Sequence, residues 1–335
     1  MISMNIINKL LFLLLVSCQH TDQPSQASKN PVTYANTITV KELKENLYEI
    51  ASDEYAGRNT GEEGQKKAAE FLKDHYEKNN ILSPIGQGDY FQEIPISFLP
   101  QGINATENVV SFIEGSEFSD EIIVISAHYD HIGTEGELIY NGADDNASGT
   151  VAILEIAEAF QLAKEAGYGP KRSLLFLHVT AEEKGLYGSR WYVENPLFPL
   201  ENHVVNLNID MIGRVDSIHN ENPNYIYLIG SDRLSTELHQ ISEETNKTFG
   251  NLALDYTYNA PDDPNRFYYR SDHYNFAKNN IPVIFYFNGV HEDYHQATDT
   301  AEKINYDLLC KRTKLIFHTT WEIANRKNKP FVDKQ

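Results

Sequence analysis

The run Glu121-Ile122-Ile123-Val124-Ile125-Ser126-Ala127 constrains the fold more than any other stretch. A strand with one face in water alternates apolar and polar residues, whereas one that is apolar almost throughout is covered on both faces. Residues 173–179 repeat the pattern, and 203–209, 225–230 and 282–287 read as further strands. Helical spacing fills the intervals at 147–164, 182–194 and 232–248, with a short helix at 272–278 and a closing one over 305–324. Ahead of these, 39–80 is helical with a break at 57–64, and strand-like runs follow at 90–96 and 108–114. Strands alternating with helices predict an α/β fold: a mixed, mainly parallel central sheet sandwiched by helices. In such sheets ligands gather at the carboxyl ends of the strands, so the chemistry should follow each buried run.

The chain has 335 residues with 28 Lys+Arg against 48 Asp+Glu, a net charge of −20. This balance repels phosphate backbones and argues against a nucleic-acid partner. With two cysteines there is neither a disulfide framework nor a cysteine zinc site. A bound metal must use imidazole and oxygen, and the 12 His and the surplus carboxylates offer both.

The N-terminus carries an address. Lys9 precedes the apolar run 10–16, too short to span a bilayer and suited to a secretory signal over residues 1–17. Leu15-Val16-Ser17-Cys18 resembles a bacterial lipobox, which implies lipidation at Cys18 and an exported lipoprotein anchored to a membrane, facing the periplasm or cell surface. Residues 18–35 then form the lipidated cysteine and a polar, flexible tether with Pro24 and Pro31. Cys310 is expected as a buried thiol in the closing helix.

The chemistry does follow the buried runs. After the first stands His128-Tyr129-Asp130-His131. Alternation puts His128 and Asp130 on one face, so Asp130 can accept the second imidazole N–H, while His131 faces the other way as a structural residue. Asn141-Gly142-Ala143-Asp144-Asp145-Asn146-Ala147-Ser148-Gly149 leads into a helix, and flanking glycines free the backbone to present one of two adjacent carboxylates. A capped helix start reads the same motif more simply. After 173–179 come Glu182 and Glu183, which cannot share a face; one suits a metal and the other proton transfer. Asp210 ends the strand at 203–209, and His295 follows 282–287 with Asp299-Thr300 behind it. His295 is preferred over His291 as a ligand because that Asp-Thr gives it a partner. Mixed imidazole and carboxylate donors suit Zn²⁺ best, with Mn²⁺ or Co²⁺ as substitutes.

The motifs H-Y-D-H, G-A-D-D-N-A-S-G, A-E-E-K-G-L-Y-G-S, N-I-D-M-I-G-R and Y-H-x-x-x-D-T, in this order, resemble the dizinc aminopeptidases of the bacterial leucyl aminopeptidase type. Their clan also holds glutamate carboxypeptidases and glutaminyl cyclases. The resemblance spans about residue 51 to the C-terminus and implies a zinc-exopeptidase (phosphorylase/hydrolase-like) fold in one peptidase domain, 36–335. It implies two Zn²⁺, with Asp144 bridging, His128 and Asp210 completing one site and Glu183 and His295 the other. It implies Glu182 as general base, a cis peptide after the bridging Asp, and Tyr268 (with Tyr269 beside it) as the hydroxyl at the tetrahedral intermediate. The expected substrates are peptides with a free N-terminus. Rival readings within the clan are a glutaminyl cyclase-like transferase and a carboxypeptidase, with Arg214 or Arg270 holding a substrate carboxylate.

Overall fold

The computed structural model describes residues 29–334. The signal segment, Cys18 and most of the tether lie outside the described residues. The last part of the expected tether belongs to the fold: Pro31–Ala35 is a helical turn, α1, with the Asn30 side chain accepting from Val32 N–H. Tyr34 is buried there and stacks on Trp321 at 5.7 Å. Polar composition hid this anchor because two buried residues suffice to hold so short a turn.

The chain continues through α2 (Val40–Ile50), α3 (Glu63–Lys78), β1 (Phe91–Ile94), β2 (Thr106–Ile113), β3 (Phe118–His128) and a small hairpin, β4 (Gly133–Glu135) and β5 (Leu138–Tyr140). Then follow α4 (Gly149–Glu165), β6 (Arg172–Val179), α5 (Tyr187–Glu194), β7 (His203–Ile209), β8 (Tyr225–Ile229) and α6 (Thr236–Thr245). The last elements are β9 (Ala253–Asp255), α7 (His273–Ala277), β10 (Val283–Phe287) and α8 (Tyr306–Asn325). Eight strands form one sheet in the order β1-β2-β6-β3-β7-β10-β8-β9. The four central strands, β6, β3, β7 and β10, are mutually parallel, while β1, β2 and β8 pair antiparallel on their inner sides. The mixed sheet with a parallel centre is the one the apolar runs predict.

Alternation along β3 explains the two covered faces. Ile123 and Ile125 pack with α4 and α8 residues such as Ile153, Leu315 and Phe317, while Ile122 and Val124 pack with Tyr192 of α5 and Phe276 of α7. Burying each such side chain contributes about 1.5–3 kcal/mol. Cys310 sits buried and unpaired in α8, as expected. No helix among the described residues is long and apolar enough to cross a membrane.

One expected helix starts late. Residues 182–186 form a turn, and α5 begins only at Tyr187. Ala181 (φ 53°), Gly185 (φ 111°) and Leu186 (φ 62°) have left-handed backbone, which a helix cannot contain. Glu182 and Glu183 are therefore presented from a tight turn rather than a helix face.

Candidate metal centre

Parallel register sets the floor of the site. His128 pairs with Val179 across β3 and β6, Ser126 with Asn208 across β3 and β7, and Ile209 with Tyr286 across β7 and β10. The strands thus end together, and their continuations deliver His128, Glu182 with Glu183, Asp210 and the loop bearing His295 to one edge. Left-handed backbone at Ala181, Met211 and His295 (φ 53°, 59° and 57°) marks the turns that aim these side chains. Such conformations cost about 1–3 kcal/mol each and cluster at functional sites.

Two overlapping donor groups result. His128, Asp145 and Asp210 bring ligand-type atoms within 4.8 Å of one another, and so do His131, Asp145 and Glu183. Asp145 is common to both. Its Oδ1 lies 3.2 Å from His128 Nε2 and its Oδ2 3.1 Å from His295 Nε2. His128 Nε2 is also 3.4 Å from Asp210 Oδ1, and His295 Nε2 is 3.6 Å from Glu183 Oε2.

Asp144, the expected bridging residue, lies outside this group. Its carboxylate turns away to accept Gly213 N–H at 2.6 Å and to meet His291 Nε2 at 3.1 Å. The central carboxylate is that of Asp145, one residue later, and the cis peptide bond falls after it, at Asp145-Asn146. The local reason is backbone geometry. Asp145 has φ −103° and ψ 94°, an extended rather than helical conformation, and the two adjacent side chains point different ways. Asp299 secures the turn by accepting the N–H groups of Asp144 (3.0 Å) and Asp145 (3.1 Å). His291 is thereby a partner of Asp144, and His295 is the imidazole at the cluster.

The surrounding shell orients the donors. Asp130 works differently from the alternation argument: its backbone carbonyl, 3.1 Å away, meets His128 Nδ1, while its carboxylate Oδ1 stays 3.8 Å off. That carboxylate accepts Thr60 Oγ1 at 2.7 Å and Glu182 N–H at 3.2 Å, so it fixes the start of the glutamate turn. His131 does not line the pocket but sits behind it, with Nδ1 2.9 Å from Glu183 Oε1. Gly142 (φ 54°) leaves room for its ring, since a Cβ there would come within 2.5 Å of it. A hydrogen-bond chain reaches Asp210 from within the sheet: Asn206 donates to Ser126, Ser126 to Asn208, Asn208 to Ser271 and Ser271 to Asp210, each step 2.6–2.8 Å.

Arg58 closes the site from below. Fully buried, its guanidinium donates to the carbonyls of Ile50, Tyr129, Asn141 and Gly142 at 2.7–3.0 Å. Burial lowers it to about 10, opposed by Asp130, Asp145, Asp299 and Glu183. It remains a cation at neutral pH.

The electrostatics are those of a cation site. Burial alone would lower the His128 imidazole, yet Asp210, Glu182 and Asp145 around it hold it well above its ordinary value. Burial among Glu183, Asp272 and Asp210 pushes Glu182 well above the carboxylate range, with His128 opposing. Asp272, fully buried, is raised to about 7 by desolvation, with His128 and the Ser189 hydroxyl opposing and Asp210 and Asp130 adding to the rise. Glu183 Oε1 has His131 Nδ1 at 2.9 Å but no aligned hydrogen bond. Carboxylates and imidazoles this closely packed, with donor atoms unsatisfied, fit divalent ions, and the imidazole-carboxylate mixture supports zinc.

A pocket opens on the centre. His128, Asp145, Glu182, Asp210 and His295 form its floor; Met211, Phe267, Phe285, Phe287 and Val290 give an apolar wall. Tyr294 lines it too, its ring stacked on His295 at 3.9 Å. Tyr268 is not among the lining residues; Arg233 covers its ring at 4.2 Å and it packs against His273. Sequence reasoning missed Tyr294, Arg58 and Asp272 as site residues, although Tyr294 directly precedes a chosen ligand.

A cluster of imidazole and carboxylate donors at the carboxyl edge of a parallel sheet defines a candidate site for divalent metal. Residues 108–320 match the model of peptidase family M28, and the chain belongs to that family. It is 27% identical over 243 residues to leucine aminopeptidase 2 of Trichophyton rubrum, an alignment covering 65% of this chain and 45% of that protein. It is 30% identical over 138 residues to a probable glutamate carboxypeptidase of Arabidopsis thaliana, covering 39% and 19%. The chain thus spans less than half the length of these curated relatives. Among solved structures, the LapA aminopeptidase of Legionella pneumophila superposes with a TM-score of 0.70 at 21% identity, covering 96% of this chain and 81% of that one, which shows a shared fold.

Proposed function

We propose that the chain is a zinc-dependent exopeptidase that removes N-terminal residues from peptides. The observation that carries this reading is the Asp145 carboxylate, with one oxygen toward His128 and the other toward His295, beside a Glu182 that lines the same pocket. Two ions suit this arrangement: His128, Asp145 and Asp210 would hold one, and Asp145, Glu183 and His295 the other. His295 is chosen over His131 because it faces the pocket, with 37% of its side chain exposed, whereas His131 is fully buried behind Glu183. Zinc bound there supplies a Lewis acid and brings the pKa of a bound water toward neutrality.

The chain's own groups do the rest. Glu182, anchored through its N–H on Asp130, takes a proton from the attacking water and returns it to the leaving amine. The Tyr294 hydroxyl, rather than that of Tyr268, donates to the carbonyl oxygen as charge develops. The carboxylates of the floor attract a free α-amine, which favours an aminopeptidase over an endopeptidase.

The test is a panel of unblocked, N-acetylated and glutaminyl peptides, run with metal analysis. Unblocked peptides should be cleaved from the N-terminus with about two zinc ions per chain. Equal rates on N-acetylated peptides would refute the aminopeptidase reading, and cyclisation of glutaminyl peptides without hydrolysis would replace it with a transferase. We also propose lipidation at Cys18 of an exported protein, on the Leu15-Val16-Ser17-Cys18 motif. Fatty-acid labelling that persists in Cys18→Ala would refute it.

A further inference from the structure

We propose that His131 is a positioning residue for the second metal position: it engages one oxygen of Glu183, leaves only the other for the ion, and thereby tunes the position to zinc. The inference rests on the two-ion reading above. Glu183 turns its two oxygens in different directions. Oε2 faces His295 Nε2 at 3.6 Å, and Oε1 lies 2.9 Å from His131 Nδ1. Among the described residues neither Oε1 nor that nitrogen has another hydrogen-bond partner. Asp145 Oδ2 is more distant from the same nitrogen, at 4.0 Å, and closer to His295 Nε2, at 3.1 Å. The imidazole of His131 therefore belongs with Glu183, and that of His295 with the donor cluster.

The other end of the centre is built the same way. Asp210 directs Oδ1 to His128 Nε2 at 3.4 Å, while Ser271 Oγ donates to its Oδ2 at 2.6 Å. Each outer carboxylate thus offers one free oxygen, and only the central Asp145 turns both toward the imidazoles of the pocket. His131 does for Glu183 what Ser271 does for Asp210. Its ring is held for the task. The backbone N–H of His131 donates to the carbonyl of Arg58 at 3.1 Å, and the ring fills the space that a Cβ on Gly142 would take. The side chain is fully buried, so water does not compete for Oε1 from that side. A carboxylate confined to one oxygen supplies few donors, which suits zinc with its four-coordinate sites. Mn²⁺ takes more oxygens and gains from a carboxylate free to turn both toward the ion.

Calorimetric titration of the metal-stripped full chain with zinc and with Mn²⁺ tests this without turnover. Asparagine and leucine share one branched outline, but only asparagine keeps an N–H donor near the place of Nδ1. His131→Leu should weaken one of the two zinc ions by about 10–100-fold and leave the other near its native affinity. Mn²⁺ should weaken less, so the zinc-to-Mn²⁺ affinity ratio drops. His131→Asn should recover much of both losses, which a role in packing alone would not produce. Native zinc affinity or an unchanged ratio in His131→Leu would overturn the proposal, and so would an equal loss in His131→Asn and His131→Leu. Should His131→Leu fail to fold, histidine nitrogen NMR spectra of the native protein decide. With zinc bound, His131 Nδ1 should keep its proton, and a metal-bound nitrogen on that ring would overturn the proposal. A native chain that binds a single zinc would refute the two-ion reading, while the comparison of His131→Leu with His131→Asn would still judge His131. Failure of the aminopeptidase reading on the peptide panel leaves these binding measurements intact.

Discussion

Asp144 and Asp145 are neighbours in the chain, and exchanging each for asparagine separates two accounts of the centre. Asp145 offers one oxygen toward His128 and one toward His295. Asparagine keeps one acceptor and turns an NH₂ to the other side, so one of the two positions loses its ligand atom. Loss of a group that merely supports a ligand costs about 10–100-fold in metal affinity; loss of a shared ligand should exceed that. Asp145→Asn should therefore retain at most one zinc, weakly. Asp144→Asn should keep both ions. Its amide oxygen can still accept Gly213 N–H, while its NH₂ faces His291 Nε2. What it loses is a charge-assisted bond, about 1.5–3 kcal/mol of stability. At about 2 °C per kcal/mol, the lower figure for larger chains, the melting temperature falls by roughly 3–6 °C. Zinc titration of the stripped proteins by calorimetry, elemental analysis and thermal melts read the difference. Zinc lost in Asp144→Asn and retained in Asp145→Asn would refute the geometry.

Glu182→Gln should bind zinc with native stoichiometry yet lose at least two orders of magnitude in kcat; near-native turnover would remove Glu182 from the role of base. Glu155 tests a pH dependence far from the centre. Burial, with Glu42 and Glu158 nearby, raises its carboxyl to about 8. The folded value lies above the unfolded one, near 4.5, so the stability of the protonated form is complete below about 4.5 and is lost as pH rises to about 8. Glu155→Gln keeps an acceptor for Asn46 Nδ2, now 3.2 Å away. Melting curves of the two proteins should nearly coincide at pH 4.5, with the variant ahead by several degrees at pH 8. A gap that stays constant over this range would contradict the assignment.

The strand ends were legible because buried parallel strands are written as apolar runs, and His128, Glu183, Asp210 and His295 each follow one. The adjacent aspartates were not, because a strand sets which face a residue occupies, whereas in a turn the choice depends on dihedrals such as those at Asp145. Asp130 was placed in the right neighbourhood, but alternation describes side chains and could not anticipate that its carbonyl would do the orienting. Asn206 and Asn208 look out of place in a core strand until their bonds to Ser126 and Ser271 are followed to Asp210. Arg58 carried only a faint signal, a charged residue within the break between two helices. Its left-handed backbone (φ 49°) and its four carbonyl partners arise from tertiary packing.

That arginine has a consequence for how the centre is assembled. Because all four bonds go to main-chain carbonyls, Arg58 clamps the loop after β3 to the loop before α4 without drawing on any ligand carboxylate. The mould is cast in backbone before an ion arrives, and its cationic charge lies beneath carboxylates that would otherwise drive one another apart. Metal uptake then resembles filling a finished socket rather than gathering scattered donors.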